Sequence, residues 1–262
     1  MNDPSIRFND GAAYERMMGA WSHLAGNVFL DWLAPAPGLA WVDVGCGNGA
    51  FTELLVQRTA PREVQGVDPS EGQLGYARSR PGTAMATYRQ GDAMALPFAD
   101  AAFDAAVMAL VIFFVPEPAR GVAEMVRVVV PGGTVAAYAW DMEGGGFPLR
   151  PVIDELHAMG FAPAPAPHPE ASRIDRLHEL WRDAGLERIE TRRIDVKRRF
   201  VDFADFWTAS TSGSTVKPAI AAMAPAARDE LMARVRGHVT EHADGSISYD
   251  AFANAVKGRV PG

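Results

Sequence analysis

At 262 residues, with 48% hydrophobic and 22% charged residues, the chain has the composition of an ordinary globular protein, and its length fits one α/β domain with additions. The formal net charge of −7 argues against a general binder of nucleic acid or anionic membranes, because such proteins carry a basic surface. The single cysteine, Cys46, excludes an intrachain disulfide and fits a reducing compartment, and the N-terminal sequence has no apolar signal segment. We therefore expect a cytoplasmic protein.

The predicted elements alternate between helices and strands in the first half of the chain. An amphipathic helix over 12–32 is followed by a proline-rich breaker. Apolar strands are then predicted at 40–44, 63–67, 85–89, 103–109 and 133–140, with helices at 50–59, 70–79 and 117–129. Proline and glycines at 131–133 predict a turn before the last of these strands. The alternation is typical of βαβ units and predicts a doubly wound α/β sheet.

Beyond this region the helix and strand pattern is weaker, and glycine and proline mark the boundaries. An N-terminal helical lid is expected over 1–38, followed by a core over 39–141. The remaining segments are predicted to be a loop over 142–172, a core helix and strand over 173–201, a helical cap insertion over 202–243 and a final strand over 244–262. All of them are expected to form a single domain, 1–262.

Residues 41–49 combine a buried strand, a glycine-rich turn and the start of a helix. Gly45 and Gly47 allow positive φ and a close approach of the backbone, and the helix N-terminus offers N–H groups to a negative ligand end. Asp68 ends the next strand, where a carboxylate can accept both hydroxyls of a ribose. These features predict a ligand that contains a nucleoside.

The glycine spacing leaves the identity of that nucleoside open. Dinucleotide sites normally show G-x-G-x-x-G, and this chain has Ala50 at the third glycine position, where alanine is tolerated. An NAD site is therefore not excluded by the loop alone. Asp43, inside the strand, favours a cationic amino group instead, because a carboxylate there would repel a pyrophosphate.

Five segments occur in an order that points to one family. They are VDVGCGNG at 42–49, VDPSEGQL at 67–74, GDAMALPF at 91–98, FDAAVMAL at 103–110 and PGGTVAAYAWD at 131–141. Together they resemble the class I S-adenosylmethionine-dependent methyltransferases, and within them the small-molecule enzymes similar to the quinone-biosynthesis C-methyltransferases. The resemblance implies a Rossmann-like sheet of seven strands, mostly parallel, with an antiparallel last strand between the fifth and sixth, and a helical cap.

The resemblance also implies how the core over 39–141 would bind the cofactor. Gly45 and Gly47 would face its methionine end, with Asp43 near the amino group. Asp68 would bind the ribose hydroxyls, and Asp92 would accept the adenine amino hydrogen. The full set implied for the cofactor is Tyr14, Trp21, Asp43, Gly45, Cys46, Gly47, Asp68, Pro69, Gln73, Gly91, Asp92, Ala93, Ala109 and Leu110.

The acceptor side is predicted less completely. The candidates for acceptor contact are Met18, Phe113, Phe114, Trp140 and Asp141. Asp141 has two open interpretations: it orients or deprotonates the acceptor, or it caps the following loop. The stripe that includes Tyr14 and Trp21 is likewise either a lid or plain core. Relatives often carry a histidine within 111–115, where this chain has none, so the catalytic base is unassigned.

The sequence thus predicts an enzyme that transfers a methyl group from S-adenosylmethionine to a small, apolar or aromatic molecule, with S-adenosylhomocysteine as product. The acceptor atom, whether O, C or N, is unresolved. An NAD-dependent oxidoreductase and a non-catalytic, S-adenosylmethionine-binding regulatory protein are the alternatives. No nucleic-acid or membrane partner is expected. No metal is expected either, since the pair His238 and His242 lacks an HExxH context. A monomer or homodimer is expected.

Overall fold

The structure is a computed structural model that describes residues 18–163, 165–213 and 215–262. The strands are β1 (Ala40–Val44), β2 (Glu63–Asp68), β3 (Ala86–Gln90), β4 (Phe103–Ala109), β5 (Val129–Trp140), β6 (Glu187–Phe200), β7 (Thr240–Glu241) and β8 (Ile247–Arg259). The helices are α1 (Ala20–Leu33), α2 (Ala50–Thr59), α3 (Glu71–Ser79), α4 (Pro118–Val128), α5 (Arg150–Ala158), α6 (Ile174–Asp183), α7 (Phe203–Thr211), α8 (Lys217–Ala221) and α9 (Pro225–Arg236).

The strands form one sheet in the order β3-β2-β1-β4-β5-β8-β6, and the two-residue β7 pairs with β8 beside this path. Strands β1 to β5 are paired in parallel, whereas β8 is antiparallel to both β5 and β6. The last long strand therefore lies between the fifth and sixth. The predicted fold class is confirmed, with β7 as an addition to the expected seven strands.

Helices cover both faces of the sheet, which explains why all five residues of β1 are buried. On one face Trp41 belongs to an apolar core with Phe29 of α1 and Leu55 of α2. On the other face Val42 belongs to a second core with Met125 of α4 and side chains of α6. The carboxyl ends of the parallel strands then meet at one edge, which is where ligands bind in open α/β sheets.

The predicted loop over 142–172 contains a helix, α5. Pro151 occupies its first turn, where proline costs no hydrogen bond, and Val152 and Leu156 turn a buried face toward the core. The glycines before this helix and the prolines after it conceal the helical spacing of these two apolar residues. The prediction thus extended the loop from its glycine- and proline-rich flanks into a segment that is a helix.

The predicted turn at 131–133 lies inside strand β5. Strand pairing jumps from Phe103–Val129 to Ala105–Thr134, so the intervening residues form a bulge. Gly132 adopts a φ of +76°, and its N–H donates to the Val260 carbonyl at 2.9 Å. The glycines correctly indicate a break in the regular strand at 131–133, but this break is a bulge, and β5 continues on both sides of it.

The N-terminal helix is described from Ala20 onward, as α1. Tyr14 lies outside the described residues. The predicted cap over 202–243 contains α7, α8, α9 and the short β7.

Candidate active site

A cavity of about 740 Å³ lies at the carboxyl ends of the parallel strands, and we call it the larger cavity. Its wall combines the turn after β1, the end of β2, the loop after β3 and the exit from β4. The residues that line it are Ser22, Asp43, Gly45, Cys46, Gly47, Asn48, Ala50, Phe51, Val67, Asp68, Pro69, Ser70, Gln73, Gly91, Asp92, Ala93, Ala109, Leu110, Val111, Phe114, Val115, Pro116, Tyr138, Pro167 and His168.

The glycine turn after β1 provides the floor of this cavity. Gly45 has a φ of +75°, and a Cβ at this position would lie 2.5 Å from Val111 Cγ1. Gly47 has a φ of +51°, but a Cβ there would meet no atom within 4 Å. The N–H groups of Gly45 and Cys46 both donate to the Val67 carbonyl, at 2.7 and 3.0 Å. The turn is therefore folded back against the end of β2 and leaves its open side to the cavity.

Asp68 is held rigidly beside this turn. Its Oδ2 accepts a hydrogen bond from the Gly47 N–H at 3.0 Å, and its Oδ1 accepts one from the Ser70 N–H at 2.9 Å. Burial raises the pKa of the Asp68 carboxyl above its usual value, and these two backbone donors oppose the rise. Each carboxylate oxygen keeps a lone pair for a ligand, so Asp68 can accept a pair of hydroxyl groups.

Asp43 is fully buried at the end of β1 and lines the same cavity. Its Oδ2 accepts a hydrogen bond from the Thr52 hydroxyl at 2.7 Å, whereas its Oδ1 has no partner among the described residues. Burial raises the pKa of Asp43 from its usual 3.8 to about 7, with a smaller contribution from the negative charge of Asp68. A cationic group placed here would satisfy the free oxygen and offset the cost of burying the charge.

The loop after β3 closes one end of the cavity. The Gly91 N–H donates to the Asp68 carbonyl at 3.2 Å, which joins the ends of β2 and β3. Asp92 Oδ1 accepts a hydrogen bond from the Met94 N–H at 2.8 Å. This contact orients the Asp92 carboxylate and leaves its second oxygen available at the cavity wall.

A second cavity of about 250 Å³ adjoins the larger one, because Leu110 and Phe114 line both. Leu110 has a φ of +63°, an uncommon conformation for a non-glycine residue, and its N–H is held by the Tyr138 carbonyl at 2.8 Å. The residues that line the second cavity are Met18, Leu110, Phe113, Phe114, Trp140, Met142, Phe147, Arg150, Ile153, Asp154, His157, Pro163, Pro165, Ala166, Pro169 and Thr215.

The residues predicted for the cofactor are brought together by the fold. Of those that fall within the described residues, all except Trp21 line the larger cavity. Trp21 is buried and lines neither cavity; its ring packs against Trp140, Phe200 and Tyr249 at centroid distances of 6.2 to 6.4 Å. This placement favours the core interpretation of Trp21.

Four of the acceptor candidates, Met18, Phe113, Phe114 and Trp140, line the second cavity. Asp141 lines neither cavity. Its Oδ1 accepts the Gly144 N–H at 2.5 Å, and its Oδ2 accepts the Asn254 side-chain amide at 2.9 Å. The geometry matches the loop-capping interpretation, not contact with an acceptor.

Cys46 lines the larger cavity but is poorly suited to act as a nucleophile. Burial raises the pKa of the Cys46 thiol well above its usual value, and the nearby carboxylates of Asp43 and Asp68 raise it further. The thiolate is therefore strongly disfavoured, which supports the role of a small residue in a tight turn.

Sequence reasoning missed the polar wall of the second cavity. Arg150, Asp154 and His157 stand at i, i+4 and i+7 on α5, so they share one helix face. It also missed His168, which lines the larger cavity and whose N–H donates to the Phe113 carbonyl at 3.1 Å. The stretch 111–115 lacks a histidine, yet the fold brings His168 against it. For the polar wall, the i, i+4, i+7 spacing of Arg150, Asp154 and His157 was the sequence signal that could have revealed it.

Residues 42–137 match the model of a family described as a methyltransferase domain. This stretch is similar to known methyltransferase domains. The resemblance inferred from the five sequence segments is thereby confirmed. The boundaries of the match run from β1 through most of β5, so the methyltransferase domain supplies the glycine turn, Asp68 and the exit from β4.

Two relatives are named as methyltransferases of demethylmenaquinone or of ubiquinone and menaquinone biosynthesis. Over 106 residues the chain is 39% identical to the demethylmenaquinone methyltransferase of Desulfitobacterium hafniense, covering 38% of this chain and 42% of that protein. Over 121 residues it is 35% identical to a ubiquinone/menaquinone biosynthesis C-methyltransferase of Cereibacter sphaeroides, covering 45% and 48%. Each match thus spans less than half of the relative.

The fold of the methyltransferase domain and its surroundings is also found in solved structures. Phosphoethanolamine N-methyltransferase 2 of Haemonchus contortus, solved in complex with S-adenosylmethionine, superposes with a TM-score of 0.58 at 18% identity. The superposition covers 95% of this chain and 56% of that one.

Two negative findings apply to the described residues. Within 18–163, 165–213 and 215–262, no helix combines the length and apolarity needed to cross a bilayer. In the same ranges, no group of three or more His, Cys, Asp or Glu side chains is arranged to hold a metal ion. His238 and His242 bind different partners: His238 Nε2 lies 2.7 Å from Glu155 Oε1, and His242 Nε2 lies 2.8 Å from Ser248 Oγ.

Proposed function

We propose that the chain binds S-adenosylmethionine in the larger cavity and transfers its methyl group to a small molecule in the second cavity. The observation that carries this proposal is the shared wall. Leu110 and Phe114 line both cavities, so a cofactor in one and an acceptor in the other would meet at these two residues. The match of residues 42–137 to a methyltransferase domain supports the same reaction.

The residues present fit the cofactor. The buried Oδ1 of Asp43, which has no partner within the described part of the chain, offers an acceptor for the cationic amino group of the cofactor's methionine end. The open side of Gly47 leaves room for that end to approach the backbone. Asp68, with both oxygens fixed by backbone donors, would accept the ribose hydroxyls, and Asp92 with the Ala93 N–H would bind the adenine.

Bound S-adenosylmethionine supplies a methyl group that is already activated by its sulfonium. The chain's task is then to align the acceptor with this methyl and to exclude water. Leu110 and Phe114 would border the passage between the cavities and are apolar, which suits a reaction in which charge becomes more dispersed. The buried aromatic side chains Phe113 and Trp140 would hold a flat or apolar acceptor on the far side.

Calorimetric titration tests the cofactor half of the proposal. We expect S-adenosylmethionine and S-adenosylhomocysteine to bind, and NADH not to bind. Asp68→Ala removes two charged hydrogen bonds worth about 1.5–3 kcal/mol each, so the affinity should fall by roughly 10²- to 10⁴-fold. Asp250→Ala is the matched control, because this exposed carboxylate on β8 lines neither cavity and should leave the affinity unchanged.

The two alternative functions receive no support from the site. Binding of NADH in place of S-adenosylmethionine would contradict the proposal and favour an oxidoreductase. Tight binding of S-adenosylmethionine without methyl transfer to any of a broad panel of phenols, quinols and amines would favour a non-catalytic binder.

A further inference from the structure

The second cavity is small and mostly aromatic or aliphatic. Phe113 and Phe114 lie with ring centroids 4.5 Å apart, and Trp140 adds a buried indole to the same lining. Its volume of about 250 Å³ lies below the range of roughly 300–1,000 Å³ typical of sites for drug-sized ligands. These dimensions suit a single planar ring better than a long-tailed or multi-ring acceptor.

The charged side chains of this lining neutralise each other. Among its described residues, the groups that carry charge or titrate are Arg150, Asp154 and His157. Arg150 Nε lies 2.6 Å from Asp154 Oδ2, in an ion pair along one face of α5. Because their charges are opposite, Arg150 and Asp154 together add no net charge to the lining. The lining favours an acceptor that is neutral when it binds.

Among the described residues of the lining, His157 and the hydroxyl-bearing Thr215 lie outside this ion pair. His157, exposed at the rim on the α5 face, is the titratable group of the lining that stands outside the ion pair. Trp140 contributes its buried ring to the lining. A hydroxyl group that enters the cavity could give its proton to an imidazole nitrogen of His157.

We infer that the second cavity binds a neutral, single-ring phenol and that His157 accepts its hydroxyl proton during methylation of the oxygen. The inference rests on the proposed function, because it requires S-adenosylmethionine in the larger cavity. In this step the phenol O–H bond breaks and its proton moves to His157. An oxygen lone pair forms the new O–CH₃ bond, and the electron pair of the broken CH₃–S bond stays on sulfur. Exposure lets His157 then release the proton to water.

Other candidate bases near the passage are less suitable. The oxygens of Asp141 are engaged by Gly144 and Asn254, and this residue lines neither cavity. His168 lines the larger cavity, and its Nδ1 lies 3.3 Å from Glu170 Oε1. A base for the acceptor has to lie in the cavity that holds the acceptor, and among the described residues of that lining His157 is the base outside the Arg150–Asp154 ion pair.

The experiment measures kcat and KM for two single-ring phenols with wild type, His157→Gln and His178→Gln. One acceptor is para-cresol, whose pKa of about 10 matches the tyrosine side chain and keeps it neutral. The other is a nitrophenol that is already ionised at the assay pH. His178 is an exposed histidine on α6 that lines neither cavity, so His178→Gln is the matched control. Calorimetry with S-adenosylmethionine is run on all three proteins.

We expect His157→Gln to lower kcat for para-cresol by about 10²- to 10⁴-fold, the usual contribution of a general base. It should change kcat for the ionised nitrophenol only slightly, because no proton has to be removed, and it should leave cofactor affinity and the control unchanged. An equal loss with both phenols would overturn the inference, since it indicates a structural role. Methylation of amines or long-tailed quinols but of no single-ring phenol, or no methylation despite cofactor binding, would also overturn it. Failure of wild type to bind S-adenosylmethionine would instead refute the proposed function.

Discussion

At the scale of single residues, the site is organised by two carboxylates in different environments. Asp68 has both oxygens bound by backbone N–H groups, so its charge is partly compensated before any ligand arrives. Asp43 has one oxygen bound by the Thr52 hydroxyl and one with no partner among the described residues. Asp68 is pre-organised to bind neutral hydroxyls, whereas Asp43 has an oxygen that a cationic group could bind. Both were predicted from their positions at strand ends.

The raised pKa of Asp43 predicts a pH dependence of stability. A carboxyl whose pKa is raised by folding, here from 3.8 to about 7, contributes stability that is fully present below pH 3.8 and is lost as the pH rises through 7. The full loss corresponds to roughly 4 kcal/mol. Urea unfolding of the ligand-free protein between pH 4 and 8 should show this loss in wild type and not in Asp43→Asn. Parallel pH profiles for the two proteins would contradict the assignment.

At the scale of elements, the glycine turn and helix α5 show what local sequence can and cannot predict. The turn is encoded locally, because Gly45 and Gly47 adopt positive φ within a few residues of β1. Helix α5 is different: its glycine- and proline-rich flanks resemble a loop, and its placement depends on distant partners. One such partner is His238, just beyond α9, which contacts Glu155 of α5 at 2.7 Å. No local pattern reveals that contact.

Alanine substitution in the glycine turn separates backbone strain from steric conflict. Gly45→Ala should destabilise the protein by roughly 2–4 kcal/mol, because it adds a clash with Val111 to the cost of a positive φ. Gly47→Ala, which meets open space, should cost only about 1–2 kcal/mol. In unfolding measurements Val111→Ala should relieve part of the cost of Gly45→Ala and none of that of Gly47→Ala. Equal costs at the two glycines would show that the Val111 contact is unimportant.

At the scale of the whole molecule, the sequence predicted the sheet and about half of the described lining of the larger cavity, but a smaller share of the lining of the second cavity. Asp43 and Asp68 lie at the carboxyl ends of β1 and β2, and Asp92 follows β3 closely, so the order of strands is enough to bring these three candidate residues together. The second cavity combines the exit from β4, the end of β5, helix α5 and the proline-rich segment. Its shape depends on how these elements pack against each other, which a single sequence does not specify.

The central claim is that the two adjoining cavities hold the methyl donor and the acceptor. It is tested most directly by the transfer of a labelled methyl group from S-adenosylmethionine to a pooled panel of phenols, quinols and amines, with wild type and Ile153→Trp. Ile153 lines the second cavity and not the larger one, so the indole of a tryptophan at this position should fill the second cavity and leave the larger cavity unchanged. We predict labelled product from wild type, and at least a tenfold loss in Ile153→Trp with cofactor affinity unchanged. Undiminished transfer in Ile153→Trp, or no labelled product from wild type with cofactor bound, would contradict the account.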